Sequence, residues 1–312
     1  MGWLVKKIRE FKEEQKAHLI KAEVRMISGC DDSQTSADVS NVKMFELPDP
    51  AGKAGGACTS AYLSVLYKDK KASGAELTFV EVLQKMRVHL TEKKYTQIPQ
   101  LSSSKPIDLN EPFQLVPDTA TGTKRALLIG INYTGMQPGE LTGCHNDVKN
   151  VKEYLMNEHS FKEENITVML DDNVHESPTK ANIISGYKKL TKESQPGDAV
   201  FCHFSGHGSQ IKDDDWFEEE DGLDETLVPV DFKENGQIRD DDIFDILVVP
   251  MKEGVTLTCF FDCCHSGTVM DLPFTYRADS DSSQMVLDKK LDFGKVFREV
   301  GDFFNKKETN AK

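Results

Sequence analysis

Four short apolar runs punctuate the chain: RALLIGIN at 125–132, ITVML at 166–170, DAVFCHF at 198–204 and VTLTCFF at 255–261. Each has the length of a strand but lacks the alternation of a strand with one wet face, so each is expected to lie buried on both faces of a parallel sheet. Between the first three runs lie NDVKNVKEYLMNEH and SPTKANIISGYKKLTKES, whose apolar residues recur at helical spacing. The pattern is β-α-β-α-β and predicts an α/β fold. Residues 3–22 and 288–305 also read as amphipathic helices, suited to packing or to a lid. Ligands of such sheets sit beyond the carboxyl ends of the strands. The chemistry should therefore be sought there.

The third run ends in HFSGHGSQ and the fourth in DCCHSG, each a strand followed by reactive side chains among small residues. His207 lies five residues after Cys202, and Cys264 five after Cys259. If the two strands are neighbours in register, His207 and Cys264 come side by side. A neutral imidazole at hydrogen-bond reach can take the thiol proton and return it to a leaving amine, as acyl transfer from an amide requires. The backbone amides of Gly208 and Cys264 would then be placed to hold an oxyanion. A zinc cluster built from Cys202, His203, His207, Cys263, Cys264 and His265 is the competing reading, but these residues lack the C-x₂₋₄-C spacing that closes two ligands on one metal. The same offsets put Cys202 beside Cys259. Strands about 4.8 Å apart allow a disulfide there, so the pair is either core packing or a reversible redox bond.

Charge sharpens the picture. The net charge of the 312 residues is −14, and Asp213 to Asp245 alone holds fifteen acids against Lys233 and Arg239, a balance of −13. Nucleic acid is therefore not an expected partner. The segment reads as a solvated loop, a divalent-cation site or a surface attractive to basic substrates. It is not an EF-hand: with Gly222 at the sixth position, the first and twelfth ligands would be Phe217 and Val228. No run of 18 apolar residues exists, and the opening MGWLVKKIREFKEEQKAHLIKA is too charged for a signal peptide. Lys6 stands where an acylation signal needs Ser or Thr. A soluble cytoplasmic chain without a membrane partner is expected. Seven scattered cysteines argue for reduced thiols rather than a disulfide framework.

The segments FSGHG, DGLDETLVPVDF and FFDCCHSGTVMDLPFTY resemble the catalytic region of metacaspases, cysteine peptidases related to caspases, from about Lys124 to Tyr276. The resemblance implies a caspase-like fold with a mostly parallel central sheet flanked by helices on both faces. It also implies a dyad of His207 and Cys264; Cys263 stands where the family usually has Ser or Ala. MISGCDDSQTSADV (26–39), GGACTSAYL (55–63) and QIPQLSSSKPIDLNEPF (97–113) resemble the small-subunit-like region, which here comes first, as in the type III metacaspases of algae. The implied organisation is a small-subunit-like region with an N-terminal helix over 1–114, a linker over 115–124, a catalytic region over 125–276 and a C-terminal helix and tail over 277–312, all in one compact domain.

By the same resemblance Cys144, Asp147, Ser205 and Asp262 line the primary pocket. Two carboxylates there favour a guanidinium or ammonium, so the expected substrates are proteins or peptides cut after Arg or Lys. Asp147 also sits in the first turn of an expected helix, where it could serve as a cap. Metacaspases resemble one another in a calcium site of four aspartates, matched here by Asp224, Asp240, Asp241 and Asp271, with Asp242 an alternative to its two neighbours. The implied activity is a calcium-activated cysteine endopeptidase acting as a monomer. The alternative is a catalytically silent interaction module responsive to calcium or redox state. An enzyme cutting after basic residues could cut itself at Arg277, Lys289, Lys290 or the Lys124–Arg125 pair.

Overall fold

A computed structural model of the chain describes residues 18–29, 38–39, 55–66, 76–95, 97–136, 139–212, 223–263, 269–270, 272–278 and 285–290. The first four strands are β1 (Glu23–Ser28), β2 (Asp38–Val39), β3 (Gly55–Gly56) and β4 (Gln100–Ser103). The apolar runs form β5 (Lys124–Gly130), β6 (Ile166–Leu170), β7 (Ala199–Ser205) and, further on, β11 (Thr256–Asp262). Between the last two lie β8 (Gly208–Lys212), β9 (Leu223–Leu227) and β10 (Ile238–Arg239); β12 (Phe274–Ala278) and β13 (Met285–Lys290) follow.

Eight of these strands make one sheet in the order β13-β12-β4-β1-β11-β7-β5-β6. From β1 to β6 every neighbouring pair is parallel. β4, β12 and β13 are added antiparallel. β1 and β4 come from the first third of the chain, so the small-subunit-like region is laid directly against β11. The fold is the α/β, mostly parallel, caspase-like arrangement anticipated from the sequence.

Strand alternation explains the two core layers. Phe201 and Phe260 point to one face, and Val200, Cys202, Phe204, Leu257, Cys259 and Phe261 to the other. Helices α1 (Ala57–Ser64), α2 (Phe79–Glu92) and α3 (Cys144–His159) cover the first face with Tyr62, Leu83, Val148 and Tyr154. Helix α4 (Lys180–Glu193) and the turn Phe244–Val248 cover the second with Ile183, Tyr187 and Leu247. Local signals start these helices. Thr78 and Glu81 form a reciprocal capping box at α2, and the Thr179 hydroxyl accepts the Asn182 N–H at α4. Gly143 leaves α3 without a side-chain cap of its own, and the Asn132 side chain reaches in to accept the Cys144 N–H at 3.0 Å.

The ends depart from expectation. Residues 288–290, read as the start of a helix, belong to β13, which pairs antiparallel with β12 at the edge of the sheet. A few apolar residues before a charged pair fit either period, and the unpaired edge of β12 selects the strand. At the other end only residues 18 and 19 are helical among the described residues, and Ala22 already leads into β1. The remainder of both expected helices lies outside the described residues.

Candidate active site

β7 and β11 run parallel with Cys202 opposite Cys259 and Ser205 opposite Asp262. The register inferred from equal spacing therefore holds to the strand ends. His207 lies two residues beyond Ser205, as Cys264 lies two beyond Asp262. Cys264 itself is outside the described residues, as is Asp271. Cys263, by contrast, is buried in the second core layer with Val269 and Met270.

His207 is half-buried and held from several sides. Its Nε2 lies 2.7 Å from the carbonyl oxygen of Gly139. A carbonyl only accepts, so this nitrogen carries the proton and Nδ1 is left as the basic lone pair. Gly139 has φ +123°, a conformation that favours glycine, and a side chain at this position would come within 3.8 Å of Nε2. The His207 backbone N–H donates to the Tyr133 hydroxyl at 2.9 Å, and that hydroxyl donates to the Val228 carbonyl at 2.7 Å. The rings of Tyr133 and His207 lie 4.7 Å apart, tilted by 35°. Val228 N–H in turn donates to the His207 carbonyl at 3.1 Å, where β8 and β9 begin to pair from Gly208 and Leu227.

Three of the four pocket residues named from the resemblance, Asp147, Ser205 and Asp262, converge beside this edge. Ser205 Oγ donates to Asp147 Oδ2 at 2.7 Å, and Gly56 N–H reaches both Asp147 oxygens at 3.0 and 2.8 Å. Asp262 Oδ2 accepts the Thr59 N–H and the Thr59 hydroxyl, both at 2.7 Å. Cys144 opens α3 and is nearly buried. The carboxylates of Asp147 and Asp262 are 1 % and 4 % exposed and face one another across Gly56: a Cβ there would stand 2.2 Å from one and 3.0 Å from the other. The Asp147 carboxylate thus reaches across to β3 and β7, where capping of its own helix was the competing reading.

The sequence reading missed Tyr133, Gly139, Gly56 and Thr59. Gly139 and Gly56 act through backbone groups, which no residue type advertises, and Thr59 and Tyr133 act over long sequence separations. Among them only the small residues of GGACTS, opening a helix, offered a signal.

Other proposed residues are placed as follows. Cys202 and Cys259 are both free thiols on one face of the sheet and fully buried. Burial, and then the neighbouring Cys202 thiol, push the Cys259 thiol well above its ordinary range. His203 points to the opposite face from Cys202, stacked on Phe260 with ring centroids 5.7 Å apart, so these two do not converge on one metal. Asp224 and Asp240 are buried. Asp224 pairs with the Arg239 guanidinium, and Asp240 accepts the Glu225 N–H at 3.2 Å and the Asp241 N–H at 2.8 Å. Among the described residues no three His, Cys, Asp or Glu side chains converge as a metal site.

Comparison with known proteins is consistent with this geometry. Residues 124–273 match the family model described as metacaspase, peptidase C14 domain, and residues 6–110 match that of the caspase domain. The chain is 57% identical over 98% of its length to a protein of Phaeodactylum tricornutum named metacaspase III c, covering 91% of that protein. It is 45% identical to metacaspase-1 of Saccharomyces cerevisiae, over 54% of this chain and 38% of that one. The corresponding protein of Eremothecium gossypii is 49% identical over 50% of this chain and 34% of its own.

Proposed function

From the chain's membership of the metacaspases, a family of cysteine peptidases, we propose that it is a calcium-activated endopeptidase that cuts proteins after Arg or Lys. The observation that carries this reading is the β7–β11 register, which puts the strand end leading to His207 next to the one whose sequence continues into Cys264, beside two buried carboxylates.

In this reading Cys264 Sγ gives its proton to His207 Nδ1 and attacks the carbonyl carbon of the bond to be cut. The Gly208 and Cys264 amides hold the oxyanion. His207 passes the proton to the departing amine. Water, deprotonated by the same Nδ1, then attacks the thioester and frees Cys264. The Gly139 carbonyl supports the role of base, because it fixes the tautomer in which Nδ1 is free. The position of Cys263 inside the core supports Cys264 as the nucleophile.

Asp147 and Asp262 favour a cationic side chain by charge-assisted hydrogen bonds. Ser205, Gly56 and Thr59 already hydrogen-bond to their oxygens, which keeps both acids aimed. Hard carboxylate oxygens suit calcium, and buried Asp224 and Asp240 on touching elements fit part of such a donor set; Asp241 and Asp271 would complete it. Bound there, the ion would supply positive charge that orders the acidic loops around the cleft.

A second reading concerns regulation. Cys202 and Cys259 face each other in register on the two catalytic strands. A reversible disulfide between them would tie those strands together, although both thiols are fully buried and free in this structure.

The test is a pair of peptides bearing Arg or Asp before a fluorogenic leaving group, assayed with calcium or with chelator. Fast release from the Arg peptide with calcium alone is expected, with Cys264→Ala inactive and Cys263→Ala retaining most activity. Preference for Asp would overturn the pocket, activity in chelator would overturn the calcium requirement, and no hydrolysis under any condition would favour the silent interaction module.

A further inference from the structure

Among the described residues, Tyr133 is the one aromatic side chain that touches both the ring and the backbone of His207. Its hydroxyl lies between the His207 N–H at 2.9 Å and the Val228 carbonyl at 2.7 Å, so the hydrogen-bonding capacity of one buried oxygen fixes where the loop after β7 leaves the sheet. Its ring lies 4.7 Å from the imidazole. A Cβ on Gly206 would stand 3.1 Å from the same hydroxyl oxygen, so the turn before His207 is built around this phenol.

Tyr133 is held in place at a cost. Its φ is +53°, a left-handed conformation rare for an aromatic residue. Such conformations persist where the surroundings over-determine them, typically at functional sites. Here Asp171 does so: its two carboxylate oxygens accept the N–H groups on either side of Tyr133, from Asn132 at 2.8 Å and Thr134 at 3.1 Å. His145 Nε2 lies 2.6 Å from the Asp171 oxygen that takes the Asn132 N–H. Burial alone would raise the Asp171 carboxyl, but His145 and the two backbone N–H groups outweigh it and bring it below the ordinary carboxylate range. An ionised, doubly occupied Asp171 keeps the strained residue from relaxing.

We infer that Tyr133 is a positioning residue for the base of the peptidase, acting through His207. The inference rests on the assignment of His207 as that base. The hydroxyl anchors the backbone of His207, so that the Nε2–Gly139 bond and the line from Nδ1 to Cys264 Sγ can form together. The ring face receives the imidazolium that appears when Sγ gives up its proton, an attraction of cation–π type. A tyrosine therefore serves where phenylalanine would supply only the second contribution and leucine neither.

The experiment compares Tyr133→Phe, Tyr133→Leu and His207→Ala in the full chain. Two readings are taken on protein that still melts cooperatively: steady-state hydrolysis of an Arg peptide with calcium, and the rate of Cys264 alkylation by iodoacetamide at neutral pH, followed by mass spectrometry. Misplacement of a catalytic group by about 1 Å can cost ~100-fold. Tyr133→Phe is expected to lower kcat about tenfold, and Tyr133→Leu about a hundredfold, with KM within about twofold of wild type. Alkylation should slow in the same order, because it reports proton transfer within the dyad without any substrate. Wild-type kcat and alkylation in folded Tyr133→Phe and Tyr133→Leu, beside an inactive His207→Ala, would overturn the role of Tyr133 alone. Activity surviving in His207→Ala would overturn the base assignment and this inference with it. A rise in KM at unchanged kcat would place Tyr133 in substrate binding and also overturn it.

Discussion

At the scale of single residues the chain tolerates polar groups inside its sheet where they serve a neighbour, and His203 is the clearest instance. It is fully buried in β7, its Nδ1 donates to the Phe260 carbonyl at 3.0 Å, and its Nε2 has no hydrogen-bond partner among the described residues. Burial pulls its pKa down to about 4, against a smaller upward pull from the Phe260 carbonyl. Above the ordinary histidine value near 6.5 both folded and unfolded chains are neutral there, and the residue adds no pH dependence. Between that value and about 4 the unfolded chain takes a proton that the folded chain refuses, so stability falls as the pH falls. Below that window the loss levels off at about 3 kcal/mol. Urea midpoints of wild type and His203→Leu at pH 7.5 and 5 check this. The variant is expected to lose less stability on acidification, because His203 no longer contributes to the slope. Equal losses would show that other groups set the acid limb.

At the scale of elements, the four apolar runs and two central helices were legible because burial on both faces leaves a nearly continuous apolar strand, and because the intervening segments repeat at 3.6 residues. The register of β7 on β11 was legible too, from two reactive residues at equal offset. What the sequence concealed is set by neighbours distant along the chain. Residues 288–290 became strand because β12 offered an edge. The hydrogen bonds to Asp262 come from Thr59, about 200 positions away in sequence. Element structure also bears on self-cleavage. Lys124, read as the end of the linker, and Arg125, read as the start of the first apolar run, both lie in β5, in register with Ala199 and Val200 of β7. Lys124 Nζ donates to the His159 carbonyl at 2.6 Å, and Arg125 Nε to Asp198 at 3.3 Å. A cleft that binds extended substrate cannot take this bond without stripping β5 from the sheet. Self-digestion with calcium is therefore expected to leave the Lys124–Arg125 and Arg125–Ala126 bonds intact while the fold persists. Mass spectrometry of the fragments checks this, and new termini at Arg125 or Ala126 in still-folded protein would contradict it.

At the scale of the whole molecule, both regions of the chain contribute to one sheet and to one cluster of buried acids. The N-terminal region supplies β1 and β4 to the sheet, and Gly56 and Thr59 to the pocket acids. The permuted chain order therefore brings groups of both regions onto the same two buried carboxylates. Within the acidic segment Asp224 is buried, and the Arg239 guanidinium pairs with it. If calcium binds Asp224, as proposed, the guanidinium and the ion compete for the same carboxylate. Arg239→Gln then removes the competitor while keeping a polar side chain. In chelator the variant should melt below wild type, since the nearly buried Asp224 loses its cation; removing one member of a buried pair costs about 3–5 kcal/mol, and the partial exposure of Arg239 reduces that. With calcium added, the ion replaces the lost charge and the deficit should shrink. A ligand at ten times its Kd stabilises by about 1.4 kcal/mol, and the tighter binding expected of the variant enlarges its share. Thermal melts of wild type and Arg239→Gln across a calcium titration measure both effects without any substrate. A deficit that stays the same from chelator to saturating calcium would show that ion and guanidinium do not share Asp224, and would move the calcium site elsewhere in the acidic segment.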